Sequence, residues 1–369
     1  MTDINNYFQE HNLNTFEDVK THFKDSCKIN ETDEYYLLRY RNREDNSILS
    51  LLRGAIFNKS ANRLVCYPLT GAVSLEEFQR QTNFDDIVIE ESIDGTLINL
   101  WYDNGWHVST RTCIDASEST WVRDKSYKVL FDECGFNVDE LDTNYCHSLV
   151  LCHPENRIVT PYTTPQLYHV LSRNMTTYTE EYMNIGLPKP TVLKLGNDLN
   201  VLNVNSLNDL FRTLNDLEFN KEGFMLFSKD RRYRIKLKGA NYEHVKEIRG
   251  NNRNIKYRLL ELHKDNKLEE FLNFYPENLT AWEELQEKMG KAIDETLFLY
   301  NRIKKEKVYS EIPFYLKVVI YELHEEYKRL ISKYKEGTHD YKPSITKAKV
   351  MHFYKNMPTQ RLYFILNRI

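Results

Sequence analysis

Short runs rich in aliphatic and aromatic residues, several of them bounded by polar turns, occur through the first two thirds of the chain and predict β-strands. The runs cover residues 34–41, 50–57, 63–68, 87–89, 96–102 and 106–111. Between the last two, Asp103-Asn104-Gly105 predicts a tight hairpin turn, because Asn-Gly accepts the positive φ angles of a type I′ turn.

Other segments carry apolar residues at every third or fourth position, which predicts amphipathic helices. These segments cover residues 1–25, 125–138, 206–217, 280–308, 313–335 and 344–356. Only the helical pattern continues beyond about residue 242. We therefore predict an α+β protein, with antiparallel sheets and flanking helices at residues 1–242 and an all-α domain at residues 243–369.

The composition is that of a globular protein, with 369 residues of which 41% are hydrophobic and 28% charged. No run of about 18 apolar residues occurs, so no membrane partner is expected. The N-terminal residues lack the basic and apolar regions of a secretory signal. The six cysteines have no C-x-x-C spacing, which makes a zinc site improbable and predicts reduced thiols in a cytoplasmic protein, or in a virion if the chain is viral.

The net charge of −4 conceals a basic segment at residues 229–258, which carries 11 Lys and Arg against 3 acidic residues. Clustered cations suit a polyanion such as RNA, and the alternative is a solvated helix face. The candidate RNA-binding residues are Arg231, Arg232, Arg234, Lys246, Arg249 and Arg253.

Five short motifs occur in order between residues 50 and 240. The central one is an apolar strand that ends at Ser92 and turns at Asp94-Gly95-Thr96. The full set, in chain order, is Arg53-Gly54, the Asp94 turn with the returning strand to Arg111, the run Pro154-Glu-Asn-Arg-Ile-Val159, Glu222-Gly223 after a helix, and Lys236-Leu-Lys238. Lys236 and Lys238 should project from one strand face, because strand side chains alternate.

This series resembles the active-site motifs of the covalent nucleotidyltransferases, the superfamily of RNA ligases, DNA ligases and mRNA capping enzymes. It is most similar to the phage-type RNA ligase 1 enzymes that reseal tRNA. The resemblance implies an ATP-grasp-like ligase domain that uses ATP and Mg²⁺. It assigns nucleotide or phosphate binding to Arg53, Asp94, Gly95, Arg111, Glu222, Lys236 and Lys238, with Glu222 as a weak metal candidate. The alternative is that these residues only build the turn and a solvated strand edge.

The departures from the family pattern fall on the chemistry. Family members place a nucleophilic lysine at the position of Ser92, and an acidic residue at that of Val150. They also tend to have a phosphate-binding lysine where this chain has Leu69-Thr-Gly-Ala72. A serine is too short to reach as the lysine does, and a seryl-AMP ester would have a poor leaving group.

Three hypotheses remain open. The first is a catalytically inactive pseudoligase that binds nucleotide, RNA (tRNA among the candidates) or a protein partner. The second is an active ATP-dependent RNA ligase, in which Ser92 replaces a native lysine by design or another lysine such as Lys221 stands in. The third is a structural subunit of a larger, viral assembly, which predicts an exposed apolar patch on the helical domain.

Overall fold

A computed structural model of the chain describes residues 4–42, 48–121, 125–181, 183–193, 204, 206–307, 309–336 and 342–369. Contacts between residues divide the chain into two units, Met1–Arg249 and Gly250–Ile369. The helix Ala240–Arg249 belongs to the first unit, so this division falls later than the predicted boundary at residue 242. That each unit is a functional domain stays a prediction.

The described part of the first unit contains antiparallel strands and short helices, which confirms the predicted α+β class. The strands are β1 (Cys27–Glu31), β2 (Tyr35–Tyr40), β3 (Arg53–Asn58), β4 (Arg63–Cys66), β5 (Ile87–Ser92), β6 (Thr96–Tyr102), β7 (Trp106–Thr110), β8 (Tyr145–Cys152), β9 (Gln166–Asn174), β10 (Glu180–Glu181), β11 (Val192–Leu193), β12 (Gly223–Ser228) and β13 (Arg234–Lys238). The α-helices are α1 (Ile4–Glu10), α2 (Phe16–Phe23), α3 (Ile48–Leu51), α4 (Leu75–Gln81), α5 (Tyr127–Asp132), α6 (Leu207–Asp216) and α7 (Ala240–Arg249).

The N-terminal segment forms two helices, where the apolar spacing predicted one over residues 1–25. The chain breaks at Asn12, which takes the left-handed φ of 54°. It restarts at Thr15, whose side chain accepts from the Asp18 amide while the Asp18 carboxylate accepts from the Thr15 amide. This reciprocal capping box fixes the start of α2, and it explains why the prediction merged the two helices: both bury their apolar residues in one core.

The described residues of the first unit form three sheets. The first has the strand order β1-β2-β3-β4 and packs against α1 and α2. The second has the order β10-β9-β8-β6-β7, and its β6–β7 connection turns at Asn104 with φ 57°, as the Asn-Gly pair predicted. The third has the order β11-β5-β12-β13 and shares a core with α6.

Helix caps decide the helix lengths in this unit. The Ser206 side chain accepts from the Asp209 amide and begins α6 where the sequence predicted. Helix α5 is shorter than the predicted segment 125–138, because Ser126 caps its start and a turn at Gly135, with φ 66°, follows its end.

The described part of the second unit is helical, which confirms the predicted all-α C-terminal region. Its α-helices are α8 (Ile255–Lys264), α9 (Leu268–Phe274), α10 (Leu279–Glu306), α11 (Phe314–Lys335), α12 (Lys347–Asn356) and α13 (Thr359–Leu366). Within the described ranges of the chain, we find no helix whose length and apolar content would let it cross a bilayer.

Candidate functional site

A cavity of about 140 Å³ is lined by residues of the second and third sheets. Leu97, Val150 and Val170 of the second sheet supply an apolar wall. Charged side chains of the third sheet, with Lys236 among them, supply the opposite wall. A cavity with apolar walls and a few polar groups is the usual form of a small-ligand site.

Strand pairing brings distant parts of the sequence together on the charged wall. Gly223 on β12 lies opposite Ser92 on β5 and opposite Lys238 on β13. Two positions further along β12, Met225 lies opposite Lys236. Residues opposite one another project from the same sheet face, so Ser92, Lys236 and Lys238 share this face, as the alternation predicted for the two lysines.

Glu222 holds Ser92 in place. The Ser92 Oγ donates a hydrogen bond of 2.9 Å to Glu222 Oε2, and Lys236 Nζ lies 2.6 Å from the same oxygen. Ser92 and Glu222 are both buried. A divalent ion bound at Glu222 Oε2 would have to displace the ammonium group of Lys236.

Two arginines line the same cavity. The Arg53 Nη1 donates to the Leu69 carbonyl at 3.3 Å. Burial first, and then repulsion from Arg111 and Arg234, lowers the pKa of Arg53 below its usual value. Arg234 is 1% exposed and forms an ion pair with Glu180.

Glu90 and Glu91 line the cavity too, and each is ion-paired with a cation outside the lining, Arg231 and Lys221. The lining therefore carries charges of both signs, and its three cations are Arg53, Arg234 and Lys236.

Asp94 lies beside the cavity but does not line it. Its Oδ2 accepts from the amides of Val159 and Thr160 at 2.9 and 2.8 Å, and its Oδ1 accepts from the Tyr242 hydroxyl at 2.7 Å. The carboxylate is thus engaged by the chain itself, and the observed contacts support the scaffold alternative for Asp94.

Gly95 is required by close packing. An added Cβ would lie 2.5 Å from the Leu151 carbonyl oxygen and 2.6 Å from Val150 Cγ1. The neighbouring Val150 is 9% exposed and faces the cavity with an apolar side chain, so the acid that the family resemblance would place there is absent. Gly95 lines the cavity with its backbone.

Arg111 is exposed and acts on the site through its charge and its backbone. A Cβ on Gly54, whose φ is 90°, would lie 2.9 Å from the Arg111 carbonyl oxygen, so the Arg53-Gly54 strand passes directly against it. Lys221, the suggested stand-in nucleophile, is exposed, forms an ion pair of 3.0 Å with Glu91 and does not line the cavity. The amine that does line it is Lys236.

The six candidate RNA-binding residues do not form one exposed surface. Arg232 and Arg253 are exposed, whereas Arg234 and Arg249 are buried. The remaining two are half-buried: Arg231 forms an ion pair with Glu90, and Lys246 has its pKa lowered by burial first and then by Lys238. The sequence pattern could not distinguish these cases, because it counts charged residues and does not show which of them are buried.

Sequence reasoning missed the groups that hold this region together. Glu180 pairs with both Arg173 and Arg234, and the Tyr162 hydroxyl donates to the Asp94 carbonyl at 2.7 Å. Tyr162 follows the Pro154–Val159 run closely, which was an available signal. Glu180 had none, because its arginine partner on β13 is 54 residues away in the chain.

The RNA ligase of Rhodothermus phage RM378 is 27% identical over 222 residues, which are 49% of this chain and 50% of that protein. The chain resembles an RNA ligase in sequence. The immediate-early protein ICP-46 homolog of Invertebrate iridescent virus 3 is 22% identical over 258 residues, or 65% of this chain and 54% of that protein. No family model matches.

The chain spans about half the length of these two curated relatives. Solved structures with some likeness include an archaeal ATP-dependent RNA ligase, with 10% identity, 72% of this chain and 69% of that chain covered, and a TM-score of 0.47. A second is a putative ATP-dependent DNA ligase from Aquifex aeolicus, with 18% identity, coverage of 79% and 80%, and a TM-score of 0.41. The phage relative confirms the predicted ligase resemblance, while the meaning of Ser92 stays a prediction.

Proposed function

We propose that this ligase-like protein binds a nucleoside triphosphate such as ATP without forming covalent AMP, which makes it a pseudoligase. The observation that carries the proposal is the hydrogen bond from Ser92 Oγ to Glu222 Oε2 inside a cavity lined by Arg53, Arg234 and Lys236. The cations favour a phosphate-bearing ligand, and the side chain at the nucleophile position is a hydroxyl.

Glu222 is a poor base for activating Ser92. A carboxylate that accepts from a serine hydroxyl is in position to take its proton. The ammonium group of Lys236 lies 2.6 Å from the same oxygen, so the oxygen that would have to take the proton already has a cation as its partner. An adduct on Ser92 would also be a phosphate ester, which is a worse donor of AMP than the phosphoramidate of a lysine.

RNA or a protein complex is the proposed partner of this cavity-bearing unit. RNA contact would rely on exposed cations such as Arg232, and its affinity would fall steeply with salt. The two relatives come from a phage and an iridescent virus, which supports a viral origin and a location in the host cytoplasm or virion. Mg²⁺ would accompany ATP through the phosphates.

The test is self-adenylylation with labelled ATP and Mg²⁺, on this chain and on Ser92→Lys, combined with calorimetric binding of ATP and adenosine. We expect ATP to bind more tightly than adenosine and no label on this chain. Label on Ser92→Lys alone would support the proposal, because it would report an intact pocket. Label on this chain, or no ATP binding by either protein, would overturn it; an adduct mapped to Lys236 would identify an active ligase with a stand-in nucleophile.

A structural subunit is the second candidate, because the helical unit exposes large apolar side chains. The most exposed are Phe298, Phe314, Val318, Tyr309 and Met351. Phe314 and Phe364 also contact each other, with ring centroids 6.2 Å apart. Protein without affinity for ATP or RNA that assembles through this unit would favour this candidate over the pseudoligase.

A further inference from the structure

We propose that a cavity within the second unit binds a free fatty acid, which is an aliphatic chain with one terminal carboxylate. The cavity has a volume of about 390 Å³ and is lined by residues of α8, α10, α12 and α13. This volume lies within the range of small-ligand sites, and such sites often form between the helices of a bundle. The inference concerns the second unit alone, so it does not depend on the proposed nucleotide site.

The walls of the cavity are apolar and adaptable. Three methionines and two branched aliphatic residues contribute to them: Met289, Ile293, Met351, Met357 and Leu362. A methionine side chain is flexible and polarisable, so it conforms to an apolar ligand of irregular shape. Met351 is 51% exposed although it lines the cavity, so the chain itself covers only part of its apolar surface.

The aromatic groups of the lining are already engaged, which favours an aliphatic ligand over a planar base. The rings of His263 and Trp282 contact each other, with centroids 4.8 Å apart, and Trp282 is buried. Tyr354 is buried too, and its hydroxyl lies 2.8 Å from that of Thr296. A stacked base needs an exposed ring face, and Trp282 and Tyr354 are too deeply buried to offer one.

Gly290 keeps space open beside the helix backbone. It lies in the interior of the 28-residue helix α10 and lines the cavity. Only proline is less favourable than glycine in a helix interior. Close packing does not require glycine here, because a Cβ built on it would meet no heavy atom of the described residues within 4 Å outside the backbone of its own helix. The chain leaves this space unfilled, and the aliphatic part of a ligand can occupy it.

The charged side chains in the lining are basic. Lys264 and Lys355 line the cavity, and no aspartate or glutamate of the described residues does so. Burial first, and then repulsion from Lys355, lowers the pKa of His263, so the cation of α12 lies near the α8 side of the cavity. Both lysines are exposed, so they can hold a carboxylate at the mouth while the apolar chain lies inside.

Acidic residues flank the lining on α8 and α10, but none belongs to it. Asp265, which follows α8, and Glu283 are exposed to solvent. The lining itself is therefore positively charged, which favours a carboxylate head group and disfavours a cationic one. The other flanking acids are ion-paired with cations outside the lining, in the pairs Glu261–Arg258, Glu284–Lys256, Glu287–Lys291 and Asp294–Lys347.

The first experiment uses calorimetry on the full chain to compare decanoate, decanol and decyltrimethylammonium, which share a ten-carbon chain, each below its micelle-forming concentration. We expect a single decanoate to bind, about fivefold more tightly than decanol because of the two exposed lysines, and the cationic probe to bind least. Octanoate should bind about 15-fold more weakly than decanoate, since each methylene contributes about fourfold. Equal affinity for the three head groups, or for the two chain lengths, would overturn the inference.

Gly290→Leu tests the open space beside the helix. The leucine side chain would fill the cavity, and leucine is a better helix former than glycine, so the variant should unfold at the same or a higher temperature. It should lose at least about tenfold in affinity for decanoate. Asn301→Leu places the same side chain at an exposed position of α10 outside the lining and should bind decanoate as the unchanged chain does. A folded Gly290→Leu protein with unchanged affinity would overturn the inference.

Lys264→Gln combined with Lys355→Gln keeps the inference testable if Gly290→Leu does not fold. This double variant should reduce the affinity for decanoate to that for decanol, and it should leave the affinity for decanol unchanged. Lys305→Gln, at an exposed position of α10 outside the lining, is the matched control. Loss of both probes alike, or of neither, would contradict the assigned role of the lysines and overturn the inference.

Other occupants of the cavity are outcomes of the same assays. Displacement of decanoate by a single-stranded RNA oligonucleotide would assign the cavity to RNA and overturn the inference. Binding to phosphatidylglycerol vesicles that Gly290→Leu abolishes would assign it to membrane lipid and overturn the free fatty acid as ligand. We expect neither result. Because no measurement here uses ATP, failure of this inference leaves the proposed nucleotide site untouched.

Discussion

Asp94 at the turn and Ser92 on the charged wall of the cavity are two residues apart in the sequence. The two regions differ in how many of their polar groups have hydrogen-bond partners within the chain. At the turn, two amides and a hydroxyl engage both carboxylate oxygens of Asp94. On the wall, Arg234 retains buried donors without partners among the described residues, and Lys236 shares Glu222 with Ser92. The carboxylate of the turn is therefore fully engaged by the chain itself, whereas part of the Arg234 guanidinium group is not.

This difference shows that neighbouring residues of one motif can serve different purposes, the fold or the chemistry. Asp94-Gly95 joins β5 to β6 and anchors the Pro154–Val159 run, so the fold itself needs it whether or not chemistry occurs. Ser92 is the last residue of β5, and its side chain donates to Glu222 and not to a group of the turn. A change of this side chain would therefore remove no hydrogen bond from the turn. We therefore expect a substitution at Ser92 to leave the hydrogen bonds of the turn in place.

The largest expected effect comes from Asp94→Ala. It leaves two buried amides and the Tyr242 hydroxyl without an acceptor, so we expect the free energy of unfolding to fall by at least about 3 kcal/mol. Urea denaturation would measure this loss.

Asp94→Asn is the matched control for that change. Its amide oxygen can accept from the Val159 and Thr160 amides, and the Tyr242 hydroxyl can turn to accept from its NH₂ group. It should lose much less stability than Asp94→Ala. Equal stability of Asp94→Ala and the unchanged chain would show that the turn is not the closed scaffold described here.

Lowering the pH should destabilise the fold through two buried histidines of the second sheet. His147 and His169 both lie 2.9 Å from the Ser172 hydroxyl, and burial, with repulsion from His169 on His147 and from Lys189 on His169, lowers the pKa of each imidazole to about 4. In the unfolded chain these two histidines bind protons below about pH 6.5, whereas in the folded chain they bind protons only near pH 4. The stability contribution is therefore complete above pH 6.5 and is lost as the pH falls towards 4, by roughly 1.4 kcal/mol per pH unit for each histidine.

Urea unfolding at pH 7.5, 6.0 and 5.0 would measure this slope. The double variant His147→Asn with His169→Asn should flatten it, because both titrating groups are gone. A slope that the double variant leaves unchanged would assign the acid sensitivity to other groups.

The smallest expected effect is on ligand affinity. Glu222→Gln removes the negative charge beside Lys236 and keeps an acceptor for Ser92, so ATP should bind about tenfold more tightly, or about 1.4 kcal/mol. Calorimetry without divalent metal would measure it, with the exposed ion-paired Glu155→Gln as control. Weaker ATP binding by Glu222→Gln in Mg²⁺ would instead make Glu222 a metal ligand and would break the contrast drawn above.

The sequence by itself determined the order of the motifs, the strand alternation that puts Lys236 and Lys238 on one face, and the presence of a serine at position 92. It also determined the helical character of the second unit, because a period of three to four residues persists over long segments. These properties are local: each follows from residues within one or two turns or strands.

Only the tertiary structure decided which charged groups are available. It buried Arg234 against Glu180, engaged Asp94 with the 159–160 amides and Tyr242, and left Lys221 outside the cavity while Lys236 lines it. The pairs involved are separated by tens of residues in the chain, up to 148 for Asp94 and Tyr242. Burial and pairing depend on how sheets pack against each other, and a local pattern of charges carries no record of that packing.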